Sequence, residues 1–132
     1  MPRFLTDDPV GSDKYGLSGG AVAGPYAFAG GMALDMETFG RTPEADTIAD
    51  ETRVVLDQCA GTIAEAGFAL SDIVRATCYL SAPEYAEEMT AAFRGYFAPA
   101  APPVQNIIVA GIAGECRVEI DVFAVRGSGT PR

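Results

Sequence analysis

Between Ala45 and Gly67 the residues Ile48, Thr52, Val55, Cys59 and Ile63 recur at steps of three or four, which draws a single stripe along an amphipathic helix. Thr47 with Asp50 three residues on forms a capping-box pattern at its start, and Gly67 suits the left-handed position that ends a helix. A second helix is signalled by Ser81 with Glu84 three residues on and by Pro83 in the first turn. It carries Tyr85, Met89, Phe93 and Phe97 on one face and stops before Pro99. Each helix is one-sided, so each needs a sheet or another helix to cover its apolar stripe.

Alternating segments supply that cover. From Ile73 to Leu80, Val74, Ala76, Cys78 and Leu80 alternate with Ile73, Arg75, Thr77 and Tyr79. From Arg117 to Val125, Val118, Ile120, Val122 and Ala124 alternate with Arg117, Glu119, Asp121 and Phe123. Val104 to Ala110 reads as a buried strand, and the glycine- and alanine-rich run from Gly19 to Gly31 reads as a pair of short strands. Asp35 to Arg41 is a turn, and Ala98 to Pro103 a rigid connection. The order of elements is that of an α+β domain with two helices packed on one face of a mixed sheet. The other face would still hold Ile73, Tyr79, Val104, Ile108 and Phe123, and burying it against further copies of the chain would cover them.

At 132 residues and 48% hydrophobic content the chain has material for one core, so a single domain over 1–132 is expected. Its core spans about 13–126, and 127–132 is expected to be a disordered tail. Nine basic residues against 18 acidic give a net charge of −9, which disfavours nucleic acid and anionic membranes as partners. Histidine is absent and Cys59, Cys78 and Cys116 are far apart, so neither a metal site nor a disulfide framework is expected. No stretch reaches the roughly 18 apolar residues of a membrane-spanning helix, and the N-terminal run lacks the apolar core of a secretion signal. A reducing cytoplasm is the expected location.

The runs FAGG at Phe28 to Gly31, EAGF, SDIVRATCYL, the YF closing the second helix and CRVEIDVFAVR resemble, in order and spacing, the pattern of the RidA-like (YjgF-type) family. The corresponding family runs are FxSGQ, EAAG, DIVKTTVFV, FF and KIEIEAIAVR, and the likeness spans roughly residues 15–126. It implies a chorismate-mutase-like fold with a six-stranded mixed sheet, a homotrimer, and clefts between subunits where imines or enamines are hydrolysed without a cofactor.

The resemblance also assigns residues. Val104 falls where active deaminases carry an arginine that clamps the substrate carboxylate, and Asn106 falls where they carry a cysteine. An amino-acid-derived enamine would therefore lose a charge-assisted contact, typically about 1.5 to 3 kcal/mol. Gly30 replaces a serine, and Met32 a glutamine, while Gly31 keeps the glycine that lines the cleft. Tyr15 lies two residues before the family's tyrosine position, at Leu17, and serves only if the loop shifts.

Glu119 matches the glutamate that orders the attacking water; by spacing alone it is one member of a charge ladder with Arg117 and Asp121. Asn106 suits a carbonyl or amide ligand, or equally a hydrogen bond to a neighbouring strand. Cys116 is in phase with the core-facing Val118 and lacks a basic partner to make it a nucleophile. Two readings follow. One is a cofactor-free hydrolase or proton-transfer enzyme acting on a small imine, enamine or related carbonyl metabolite. The other is a non-catalytic trimer that binds a metabolite or docks an enzyme.

Overall fold

The computed structural model describes residues 1–5 and 14–129. Strands β1 (Arg3–Leu5), β2 (Gly20–Ala23), β3 (Tyr26–Met32), β4 (Ile73–Leu80), β5 (Val104–Val109) and β6 (Val118–Val125) form one sheet in the order β1-β2-β3-β6-β4-β5. All neighbours are antiparallel except β4 and β5, whose parallel pairing requires the crossover through a helix. Helix α1 (Ile48–Ala64) and helix α2 (Ala86–Phe97) supply the cover for one face.

The helical stripe read from the sequence is the buried one: Ile48, Thr52, Val55, Cys59 and Ile63 all lie in the interior. They meet Ala76, Cys78, Val118, Ile120, Val122 and Ala124, the inward phase of β4 and β6, and Met89, Phe93 and Phe97 of α2. Thr47 caps α1 as its sequence pattern predicts, with its hydroxyl accepting from the Asp50 N–H and the Asp50 carboxylate accepting from the Thr47 N–H. Gly67, at φ +79°, takes the left-handed turn after the helix.

Several expectations change. Val74 sits in a β-bulge, the register slipping between Ile73 and Arg75, so Ile73 turns inward to the core instead of lying on the open face. The segment at Val104 is an edge strand, not a buried one, and Val104, Ile107, Ile108 and Val109 are exposed. Helix α2 is preceded by a 3-10 turn (Pro83–Tyr85) whose N-cap is Ala82, so Ser81 makes no capping box with Glu84. β1 pairs with β2 outside the expected core. Of the expected tail, residues 127–129 form a turn in which Ser128 donates to the Asp72 carbonyl; 130–132 lie outside the described residues.

One buried contact ties α1 to the last strand. Glu51 is fully buried, accepting from the Arg117 N–H at 2.7 Å, the Val118 N–H at 3.0 Å and the Arg117 Nε at 2.8 Å. Arg117 also donates to the carbonyls of Ala45 and Asp46. Its side chain is thus turned toward α1, instead of joining Glu119 in a ladder on the open face. A buried carboxylate is tolerable only because all these donors converge on it.

Candidate functional site

The uncovered sheet face is built by the second phase of each strand. Three cross-strand rows follow from the registers: Val104, Arg75, Phe123 and Phe28; Asn106, Thr77, Asp121 and Gly30; and Ile108, Tyr79, Glu119 and Met32. Gln105 points the other way, toward Met89 and Cys78, which leaves Asn106 on the open face. Aromatic rings dominate one end. Phe123 packs against Tyr26 with centroids 5.7 Å apart and against Phe28 at 5.1 Å, and Phe28 remains 45% exposed.

Glu119 is half-buried in the third row. Burial, with the nearby Asp121 carboxylate adding to it, lifts its carboxyl above the ordinary carboxylate range. The Tyr79 hydroxyl donates to Asp121 Oδ2 at 3.2 Å, and the Asp121 charge raises the Tyr79 phenol. Two carboxylates and a phenol therefore share one small region, with one carboxyl shifted toward the range useful for proton transfer. Cys116 is buried and its thiol is pushed up to about 11 by that burial, which leaves it a poor nucleophile.

The named site residues divide. Gly30 opens onto the uncovered face, where a Cβ would come no nearer than 4.0 Å to Asp121 and the Ile120 carbonyl. Gly31 faces α1: a Cβ there would meet Gln58 Oε1 at 2.7 Å and the Val55 carbonyl at 3.3 Å, so its missing side chain serves helix packing. Tyr15 sits apart, ahead of β2 in the chain, its hydroxyl directed at the Met36 carbonyl at 3.5 Å and its ring tilted against Phe39. Val104 is 65% exposed and lies four residues from the row of Glu119 and two strands away. That is roughly 13 Å along the strands and roughly 10 Å across them. One chain therefore cannot bring Val104 and Glu119 to the same small ligand.

Sequence reading missed Arg75 and the aromatic cluster around Phe123. Their signal was the alternation itself, which puts Arg75, Thr77 and Tyr79 in one phase of β4. Among the described residues no three His, Cys, Asp or Glu side chains converge on a metal-sized space, and no helix is long and apolar enough to cross a membrane.

Residues 18–126 match the family described as Endoribonuclease L-PSP. A RutC family protein of Pyrococcus horikoshii is 29% identical over 105 residues, covering 79% of this chain and 82% of its own. Among solved structures, Rv2704 of Mycobacterium tuberculosis, described as a member of the YjgF/YER057c/UK114 family, superposes with a TM-score of 0.77 at 23% identity, covering 95% of this chain and 99% of its own. YyfA of Yersinia pestis, described as a protein of unknown function in the Rid family, gives a TM-score of 0.81 at 18% identity with coverage of 95% and 99%. The chain belongs to the Endoribonuclease L-PSP family, the RidA-like or YjgF-type group.

Proposed function

We propose that the protein is a homotrimeric, cofactor-free enzyme of small-molecule metabolism. In this reading it hydrolyses, or moves a proton on, a small imine, enamine or related carbonyl compound, and its natural setting is the cytoplasm. The observation that carries this is the half-buried Glu119, whose carboxyl is raised beside Asp121 on a sheet face that α1 and α2 leave uncovered. A carboxylate of that kind can take a proton from water as it attacks a C=N carbon and return it to the leaving nitrogen.

The separation of Val104 from Glu119 supports clefts completed by a second copy. Exposed Phe28, Val104 and Ile108 give those copies apolar surface to bury. Gly30 leaves room beside Asp121, and Val104 offers no cation to a substrate carboxylate. Although the family bears an endoribonuclease name, a net charge of −9, the lack of histidine and two carboxylates on the open face suit RNA poorly.

The test is ammonia release from freshly generated 2-iminopropionate and from imines without a carboxylate, with Glu119→Gln beside the parent protein. Turnover on the carboxylate-free imines that falls in the variant supports the role; equal turnover by both removes Glu119 from it. Light scattering at micromolar concentration should give three times the chain mass, and a monomer would overturn the shared clefts. Loss of the arginine at Val104 favours a second reading, a trimer that binds a metabolite without converting it. Thermal shifts with metabolites and no turnover across the panel would select that one.

A further inference from the structure

The three cross-strand rows of the open face carry three charged side chains: Arg75 on β4, and Glu119 and Asp121 on β6. Arg75 is exposed, and its guanidinium rests near the Phe123 ring, 5.8 Å from the centroid, which leaves its N–H edge without an acceptor. Among the described residues the ion pairs are Arg53 with Asp50 and Arg117 with Glu51, so Arg75 has no carboxylate there. Asp121, also exposed, accepts the Tyr79 hydroxyl and meets no cation among them. In a lone chain water serves both groups. Once the face is covered water is gone, and a guanidinium or a carboxylate buried without a partner would oppose association strongly.

Symmetry decides where the partners come from. Three identical copies closed about one axis meet head to tail, so each interface joins one patch of a copy to a different patch of the next. Arg75 lies beside the edge strand β5, in register with the exposed Val104; Asp121 lies on β6 beside β3, in register with Gly30. The first patch is therefore cationic, with Val104 and Ile108 as an apolar ridge. The second is anionic and concave, since a depression of about 450 Å³ opens there between Phe28, Gly30, Asp121 and Phe123. The two patches are complementary in charge and in shape.

We propose that Arg75 of each copy pairs with Asp121 of the next, and that this contact fixes the register in which three copies close. It lays the β5 edge of one copy beside Gly30 of its neighbour. The pairing rests on the trimeric reading and deepens it by naming the groups that hold the shared cleft together, and it leaves Glu119 unpaired for chemistry.

Sedimentation velocity of the full-length protein, from nanomolar to micromolar concentration, tests this. The parent should be a trimer at micromolar concentration; a monomer would overturn the pairing and the trimeric reading together. Arg75→Glu and Asp121→Arg each set like charges against one another at every interface, and each should raise the protomer concentration at half assembly more than about tenfold. The doubly reversed chain, Arg75→Glu with Asp121→Arg, restores opposite charges at all interfaces and should recover most of that loss. Mixing the two single variants should recover less, because a ring of three built from two kinds of copy always sets two of one kind side by side. Both positions are exposed in the single chain, so circular dichroism should show the β-sheet intact in each variant. If a reversal disturbs folding, Arg75→Gln and Asp121→Asn carry the test: combined, they should weaken assembly no more than either does alone. A trimeric parent indifferent to Arg75→Glu, as a pair formed within one chain would make it, overturns the proposal and leaves the trimer standing. So does a doubly reversed chain that assembles no better than the single variants.

Discussion

Replacing Glu51 by alanine tests whether the contact between α1 and β6 organises the fold. The carboxylate is 0% exposed and accepts three hydrogen bonds, two of them from the successive backbone N–H groups of Arg117 and Val118. Truncation leaves those two donors without an acceptor, and a stranded buried donor costs about 1 to 3 kcal/mol. It also removes the ion partner of Arg117, whose guanidinium keeps the Ala45 and Asp46 carbonyls and so is only partly stranded. These losses overlap. Removal of one partner from a buried pair typically costs about 3 to 5 kcal/mol, a large part of the roughly 5 to 15 kcal/mol that a domain possesses. Glu51→Gln keeps the volume and one acceptor and should cost less than half as much. Urea unfolding at a fixed protomer concentration measures both, because assembly makes stability concentration-dependent. A loss under about 1 kcal/mol for Glu51→Ala would show that the hydrogen bonds do not contribute as this geometry requires.

Other outcomes follow from the same coordinates. Gly31→Ala should lower stability by about 1 to 3 kcal/mol, since the new methyl meets Gln58 and the Val55 carbonyl; thermal unfolding reads this, and adding Gln58→Ala should recover part of it. Gly20→Ala should be worse, because its Cβ would fall 2.3 Å from the Phe28 carbonyl oxygen, and loss of β-sheet circular dichroism or of soluble protein would report it. Cys78 and Cys116, with thiols pushed up to about 11 by burial, should react slowly with iodoacetamide at pH 8 in the native protein and quickly in urea. If Glu119 is the base, turnover should fall as the pH drops through its raised carboxyl value, because protonation removes the base. Glu119→Gln should abolish that limb of the pH profile. The raised value also means the folded state favours the protonated form, so Glu119 supports folding at low pH and that support is lost as the pH rises through its folded value.

Periodicity alone determined the core-facing sides of α1 and β6. The stripe from Ile48 to Ile63 and the alternation from Val118 to Ala124 depend only on geometry local to each element, 3.6 residues per turn or two per repeat, and both are buried as the spacing requires. The cap at Thr47 and Asp50 was legible for the same reason, whereas the matching pattern at Ser81 and Glu84 was displaced by the 3-10 turn. Single-residue events break such reasoning: the bulge at Val74 exchanges the faces of one strand end, which sends Ile73 inward. Strand order is nonlocal, so only the tertiary structure could put the apolar strand Val104–Val109 at an edge, join β1 to the sheet, and bring Glu51 to Arg117 across 66 residues of chain. Glu119 was singled out by the family resemblance; periodicity by itself gave only its place in the outward phase of a regular strand. Neither named its neighbours. Tyr79 and Asp121 beside it, Arg75 over Phe123, and the distance that keeps Val104 away are consequences of register, which hydrogen bonding between distant segments decides.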